Sequence, residues 1–224
     1  MNTPFNNSVE FVNLASSFIY VGQPHQLSFA ATDIDGDSLA YSMTAPLGAA
    51  ASPLAFNTGF STINPISSSP PSSLDPATGI FSVTPTSIEV AVMAVMVTEY
   101  RNGVAIGSVT RDIQINVTSQ ANNLPTSTGM DSTNSFTDFV CAGDTMSFQL
   151  FAHDQEPGQS ASYTFVSSLA NSWFTIDSSG LHEVLTYYWA PDSLMVNAFP
   201  YEVIITVEDD FCSFYGEQNY AFLL

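Results

Sequence analysis

The chain is 224 residues long and 45% apolar, yet it contains no lysine, two arginines and 21 acidic residues, for a formal charge of −19. That balance excludes nucleic acid and anionic membrane surfaces as partners, because both bind through basic patches. A compact domain tolerates such self-repulsion when metal ions, salt or ion pairs offset it, and divalent cations are the expected counter-charge.

The length accommodates two domains of ordinary size. No apolar run approaches the roughly 18 residues of a membrane helix, so no direct membrane insertion is expected. The amino end lacks the basic and apolar regions of a signal peptide, which places any export signal elsewhere in a longer parent.

In chain order, His25 to Ala31, Leu39 to Met43, Ile80 to Val83, Val90 to Tyr100 and Val104 to Val117 are β-branched and aromatic runs broken by Gly, Pro, Asn and Ser. Such runs predict strands, and no segment predicts a helix. Arg101-Asn102-Gly103-Val104 predicts a hairpin, since Asn-Gly supplies the two positive φ angles of a type I′ turn. Val92, Ala94 and Met96 alternate with Met93, Val95 and Val97, so both faces of this hairpin read as apolar and it is expected in the middle of a sandwich.

A polar stretch from Ser119 to Ser127 marks a boundary, giving domains 1–120 and 121–224 with formal charges of −6 and −13. The final residues, Asn219 to Leu224, read as a strand cut before its closing turn, as in a fragment of a longer protein.

The halves repeat. Leu27-Ser28-Phe29 and Ala31-Thr32-Asp33 align with Met146-Ser147-Phe148 and Ala152-His153-Asp154. Asp75 to Gly79 aligns with Asp177 to Gly180, and Val95 to Glu99 with Ile204 to Glu208. The fold class predicted is all-β, two tandem antiparallel sandwiches. Tandem repetition favours an architectural role over catalysis.

Asp33-Ile34-Asp35-Gly36-Asp37 is the sharpest site. Alternate carboxylates around a glycine let a tight loop point several oxygens at one centre, the chemistry of a hard calcium ion. The sequence then runs into a strand, which separates it from an EF-hand loop. A solvated acidic turn with Asx hydrogen bonds is the alternative. Glu99, at the end of a strand, joins the ligand set. In the second half, Asp154 and Glu156 hold the equivalent loop, and Asp209 and Asp210 follow Glu208 at the end of a strand returning to the same pole; a second cation site or an exposed acidic rim both fit.

Arg101 and Arg111 predict a structural ion-pair set with Glu99 and Asp112, tying the hairpin to a neighbouring loop through guanidinium forks. Cys141 and Cys212 could close a disulfide around about 70 residues, worth roughly 4 kcal/mol by chain entropy in an exported protein. Two free thiols are the alternative.

The run Ala30 to Tyr41, with its Asp-Ile-Asp-Gly-Asp core, and the Asp-x-x-Thr-Gly turn at Asp75 to Gly79 resemble the cadherin-like and immunoglobulin-like repeats of bacterial surface proteins. Glu99 to Gly107, ending in Arg111-Asp112-Ile113-Gln114, is similar to a repeat of very large Bacteroidota cell-surface proteins associated with gliding motility and type IX secretion. The resemblance implies a secreted adhesin or filament on an outer-membrane-attached parent. Each sandwich is then a rod segment, calcium stiffens loops or junctions, and the partners are neighbouring repeats and a surface glycan or protein. Asp209 stands in the register of Arg101, so the second domain lacks the Glu-Tyr-Arg-Asn-Gly hairpin.

No enzyme is predicted: His25, His153 and His182 share no motif, and there is neither a nucleophile elbow nor a His-Glu-x-x-His helix. Two alternatives remain. Trp173, Tyr187, Tyr188 and Trp189 could form the stacking surface of a carbohydrate-binding module on a secreted polysaccharide-degrading enzyme, although along Leu181 to Trp189 at least one face must be core. A self-assembling surface fibre would use an exposed or exchanged strand.

Overall fold

The computed structural model describes residues 6–12, 17–48, 52–167, 169–196, 200–212 and 214–224. The chain divides into two compact units, residues 1–120 and 121–224, and the described residues are almost all strand, turn and loop. The helical content among them is two single 3-10 turns, Met130–Ser132 and Ser193–Met195.

The first unit contains β1 (Glu10–Phe11), β2 (Phe18–Tyr20), β3 (His25–Ser28), β4 (Ala31–Thr32), β5 (Ser38–Thr44), β6 (Ser73–Leu74), β7 (Ile80–Val83), β8 (Val90–Arg101) and β9 (Val104–Thr118). One sheet has the order β2-β9-β8-β5, the other β3-β7-β6, and β1 pairs with β4. All ladders are antiparallel except β2 on β9. Asn102 and Gly103 have φ of 54° and 77°, the positive pair that a type I′ turn requires between β8 and β9. Leu27, Phe29, Phe81, Met93, Val95, Val97 and Ile115 form the core between the sheets.

The hairpin is central in its sheet, but it is not apolar-covered on both faces. Met93, Val95 and Val97 are buried, whereas Val90 is 66% and Val92 37% exposed on the opposite face. The period-two alternation of a one-sided antiparallel sheet governs here, and the β-branched residues on its outer face reflect strand preference rather than burial.

The second unit contains β10 (Thr126–Ser127), β11 (Met146–His153), β12 (Ala161–Val166), β13 (Ser172–Asp177), β14 (Val184–Trp189), β15 (Glu202–Asp209) and β16 (Glu217–Leu223). Its sheets run β10-β11-β14-β13 and β12-β15-β16. β16 pairs along the whole of β15, from Glu208↔Glu217 to Glu202↔Leu223. The core holds Phe148, Leu150, Leu185, Tyr187, Trp189, Val203, Ile205, Val207 and Phe222. Phe148 stacks between Tyr187 and Phe222, at ring separations of 5.5 and 5.7 Å.

These orders are the A-B-E-D and C-F-G sheets of an immunoglobulin-like sandwich. The two units share the pattern strand by strand: β3-β7-β6 corresponds to β11-β14-β13, and β5-β8-β9 to β12-β15-β16. The β1–β4 pairing recurs as β10 on the end of β11, with Phe11↔Ala31 matched by Ser127↔Ala152. Even the parallel β2–β9 ladder has a counterpart, the parallel bridge Thr137↔Leu223.

The expected disulfide is absent: Cys141 and Cys212 are free and exposed. Cys141 lies before the start of β11, while Cys212 lies beyond the end of β15. The end of β15 is at the same pole as the end of β11, so the eight residues of β11 separate the two thiols. At about 3.4 Å per residue that is roughly 27 Å, far outside the reach of a disulfide.

Candidate cation sites

The first acidic loop follows β4. Gly36 has φ of 78°, a left-handed conformation that glycine adopts without penalty, and it turns the chain so that Asp33, Asp35 and Asp37 converge. Carboxylate oxygens of the three lie within 4.8 Å of one another. Asp33 Oδ1 accepts the backbone N–H groups of Asp35 and Asp37 at 2.9 and 3.0 Å. Its Oδ2 is buried and has no partner among the described residues.

Both oxygens of the other two aspartates are occupied. Asp35 accepts the backbone N–H of Asn7 at 2.6 Å and the Asn7 side-chain amide at 3.0 Å. Those bonds first, and the charge of Arg101 after them, hold its carboxyl below the usual range. Asp37 receives the fork of Arg101, Nε to Oδ1 at 2.7 Å and Nη2 to Oδ2 at 2.5 Å. The same Nη2 donates to Asn6 Oδ1 at 3.0 Å and stands 3.8 Å from Asp35. Its hydrogen bond to Asp37 raises the guanidinium pKa further.

Glu99 sits on β8 and is 1% exposed. It accepts the Val9 N–H at 2.9 Å and the Asn6 amide at 2.5 Å, so it anchors the segment preceding β1 rather than pairing with Arg101. Arg111 and Asp112 do not face each other, because consecutive strand residues point to opposite faces. The Arg111 guanidinium stacks 3.9 Å from the centre of the Phe11 ring, and Asp112 accepts the Leu47 N–H at 2.9 Å.

The second unit rebuilds this arrangement. Asp154 follows β11, is 4% exposed, and accepts the Glu156 N–H through Oδ1 at 2.8 Å. Glu156 Oε1 accepts the backbone and side-chain N–H groups of Asn123 at 2.8 and 2.5 Å, as Asp35 does from Asn7. Asp209 accepts the Asn122 amide at 2.7 Å, as Glu99 does from Asn6, and the N–H groups of Phe211 and Gly216 at 3.0 and 2.9 Å. Asp154 Oδ2, Glu156 Oε2 and Gln159 Oε1 are all buried with no partner among the described residues. Burial first, then the neighbouring carboxylates of Glu156 and Asp209, push the Asp154 pKa up to about 6. Asp210 is turned to Ser160, whose N–H and hydroxyl it accepts at 3.1 and 2.9 Å.

The register of the repeat therefore differs by one residue from the alignment of Glu99 with Glu208, and by two from that of Arg101 with Asp209. Tyr41 pairs with Val97 and Tyr163 with Val207, which makes Asp209 the counterpart of Glu99. Glu208 is on the other face and accepts the Thr164 hydroxyl. Arg101 is matched by Phe211, not by Asp209. A one-residue slip exchanges the two faces of a strand, and here it distinguishes a buried anchor from a surface acid.

Four features escaped the sequence reading. Asn6-Asn7 and Asn122-Asn123, the two Asn-Asn dipeptides of the chain, clamp both acidic loops, and their recurrence upstream of each loop was the available signal. Gly107 and Gly216 lie against Glu99 and Asp209: a Cβ on either would come within 2.5 Å of a carboxylate oxygen. Gln159 adds its buried oxygen to the second loop. The fold also brings His153 and His182 together, with ring centres 5.3 Å apart. Of the aromatics weighed as a stacking surface, Tyr187 and Trp189 are core, while Trp173 is 48% exposed and lies parallel to Tyr188 at 5.2 Å.

No protein-family model and no curated protein matches the sequence. Among solved structures, the chain is similar to a chimeric titin Z1Z2-Z1Z2 tandem at 12% identity, over 96% of this chain and 97% of that one, with a TM-score of 0.28. It is also similar to protocadherin gamma B2 extracellular cadherin domains 3–6 at 12% identity, over 96% of this chain and 46% of that one, with a TM-score of 0.32. The human desmocollin-1 ectodomain matches at 13% identity, over 97% of this chain and 42% of that one, with a TM-score of 0.27. The chain thus spans under half of the protocadherin and desmocollin chains, and its fold class rests on its own strand pairing.

Proposed function

We propose that this chain is a non-enzymatic structural or adhesive segment of an extracellular surface protein, in which cations brace the acidic loops within its immunoglobulin-like sandwiches. The observation that carries the reading is the convergence of Asp33, Asp35 and Asp37 in the first acidic loop, together with an Asn-Asn clamp and a buried acid against a glycine that recur in the second unit. A duplicated loop brace serves a chain that must keep its shape when pulled or crowded, which is the task of a rod segment. Calcium is the ion class suited to these all-oxygen loops, with Asp33, Asp35 and Asp37 as one candidate seat and Asp154, Glu156 and Asp209 as the other. The orphaned buried oxygens of Asp33, Asp154 and Glu156 fit such an ion. Neighbouring repeats of the same polypeptide, and a glycan or protein at the surface, are the partners this reading takes.

Two measurements test it. Antibodies against the segment should label intact cells and lose their target on surface proteolysis; labelling only after lysis sinks the extracellular role. A Bacteroidota gliding or type IX parent is the finer form of the proposal, and it requires that disabling that secretion route abolish the labelling. For the cation brace, calcium added after chelation should raise the melting temperature.

The stacked Trp173–Tyr188 pair supports a second reading, a carbohydrate-binding module, because the half-exposed Trp173 ring offers a face on which a sugar can lie. Affinity electrophoresis in soluble polysaccharides, with Trp173→Ala as control, distinguishes it from an aromatic pair that only covers the outer face of the sheet.

A further inference from the structure

The outer face of the second unit carries a pair of histidines that the acidic loops do not use. On β11 the side chains of Phe148, Leu150 and Ala152 enter the core, so the alternation of the strand turns its last residue, His153, outward. On β14, Leu185 and Tyr187 enter the core, and the same alternation turns Val184 and, just before the strand, His182 outward. The ladder that pairs Phe151 with Val184 continues as the Ala152 N–H donates to the Glu183 carbonyl at 3.0 Å, which sets His153 and His182 opposite each other. Their ring centres are 5.3 Å apart and their planes tilt by 37°.

Both backbones are fixed. Thr126 pairs with His153 on one side, and Ala161 bridges to His182 on the other. His153 is exposed and His182 half-buried, yet Nδ1 of His182 is buried and has no hydrogen-bond partner among the described residues. A buried ring nitrogen left without a partner costs free energy that a bound ligand recovers. Two nitrogens bound to one ion at about 2.0–2.1 Å each stand roughly 3 to 4 Å apart, a separation that imidazoles facing each other across a strand pair reach by small side-chain rotations. Asp177 pairs with Val184 on β13, and residues 121–224 contain no lysine or arginine. The field around the pair is therefore negative, and it concentrates divalent cations there.

We infer that His153 and His182 form a bidentate site for a borderline divalent transition ion of the zinc and copper class, with water in the remaining positions. The donor atoms decide the class: imidazole nitrogen suits zinc, nickel and copper, whereas calcium takes oxygen ligands. The ion ties the end of β11 to the start of β14 and keeps open positions toward solvent, unlike a closed structural site of four protein ligands. This site is separate from the proposed calcium brace. Asp154 follows His153 in the chain, but consecutive strand residues point to opposite faces, and Asp154 is buried on the other side of the sheet.

Calorimetric titration of the metal-free full chain with zinc chloride, alongside His153→Gln and His182→Gln, tests the site, and electron paramagnetic resonance of the chain loaded with one equivalent of copper(II) reads the donor atoms. The wild type should bind one zinc, each variant should bind it about tenfold or more weakly, and saturating calcium should leave the wild-type affinity within about threefold. The copper spectrum should show coupling to two nitrogens in the wild type and to one in each variant; His25, buried in the first core, is not accessible to contribute. In chelator both variants should melt with the wild type, because the two positions lie on the outer face, and zinc should raise the melting temperature of the wild type alone. Zinc held equally by the wild type and both variants, or displaced by calcium, assigns the ion to carboxylates and overturns the inference. A wild-type copper spectrum from oxygen donors alone overturns it whatever the stability of the variants, and so does absence of zinc binding at millimolar concentration. Titration of the same protein with calcium chloride judges the calcium brace separately, so either can fail without the other.

Discussion

Arg101 and Asp37 meet as a planar fork, Nε on Oδ1 at 2.7 Å and Nη2 on Oδ2 at 2.5 Å, and so join the end of β8 to the acidic loop that precedes β5. The Asp37 side chain is almost wholly buried, so removing the arginine leaves a carboxylate with neither water nor a cation. Arg101→Gln should lower the melting temperature, and Arg101→Lys should fall between the two, since an ammonium keeps the charge but loses the bidentate geometry. The gap between the lysine and glutamine variants should narrow in high salt, as a charge effect does when screened. Melting curves at low and high sodium chloride check both points; a glutamine variant as stable as wild type would remove Arg101 from the brace.

Much of this arrangement was legible from the residues, and the part that was not has a physical reason. Alternating carboxylates around Gly36 and the Asn102-Gly103 turn are local signals: spacing alone fixes which backbone they need. Pairing across the fold is not local. Arg101 reaches past its sequence neighbour Glu99 to Asp37, sixty-four residues upstream, because Glu99 points into the core while Arg101 lies at the strand end. The disulfide expectation failed similarly: two cysteines in one half say nothing about which end of a strand each occupies. Topology and the one-residue register of β15 determine the partners, and both emerge only from long-range pairing.

Gly107 and Gly216 occupy equivalent places, each beneath the buried acid of its unit. Ordinary φ values make neither glycine a conformational necessity; the need is space, since an added Cβ would stand 2.5 Å from Glu99 Oε2 or Asp209 Oδ2. Those carboxylates are fixed by hydrogen bonds and cannot retreat freely. Gly107→Ala and Gly216→Ala should each therefore cost about 1 to 3 kcal/mol, the range for overpacking a filled interior. Urea unfolding of the two variants measures it, and a neutral or stabilising effect at either position would show that the acid above it moves aside.

Cys141 and Cys212 are both exposed and too far apart to join. Two thiols per chain should react with an aromatic disulfide reagent in the native protein, without denaturant. Reducing agent should leave the melting temperature unchanged, because no cross-link restrains the unfolded chain. A native count of zero thiols with two released on reduction would contradict the strand topology of the second unit, since it would require the two poles of the sandwich to touch.

His25 gives the first unit its own acid sensitivity. Its ring lies in the core edge-on to Tyr20, and Nε2 accepts the Tyr20 N–H at 2.8 Å, which demands the neutral tautomer with that nitrogen bare. Burial outweighs all else and lowers its pKa from 6.5 to about 4. In the unfolded chain the ring takes up its proton near pH 6.5, whereas in the folded chain it does so only near 4, so the unfolded state binds more protons between those values. The stability His25 contributes is full above pH 6.5 and declines as pH falls toward 4, by about 3 kcal/mol in total. The many carboxylates also titrate in acid, so the informative quantity is a difference. Subtracting the pH profile of His25→Gln, whose amide oxygen can accept the same N–H without titrating, should leave a decline that begins near pH 6.5 and flattens near 4. Identical pH profiles for the two proteins would mean that the ring takes up its proton at the same pH folded and unfolded, which would remove His25 as the source of the acid sensitivity.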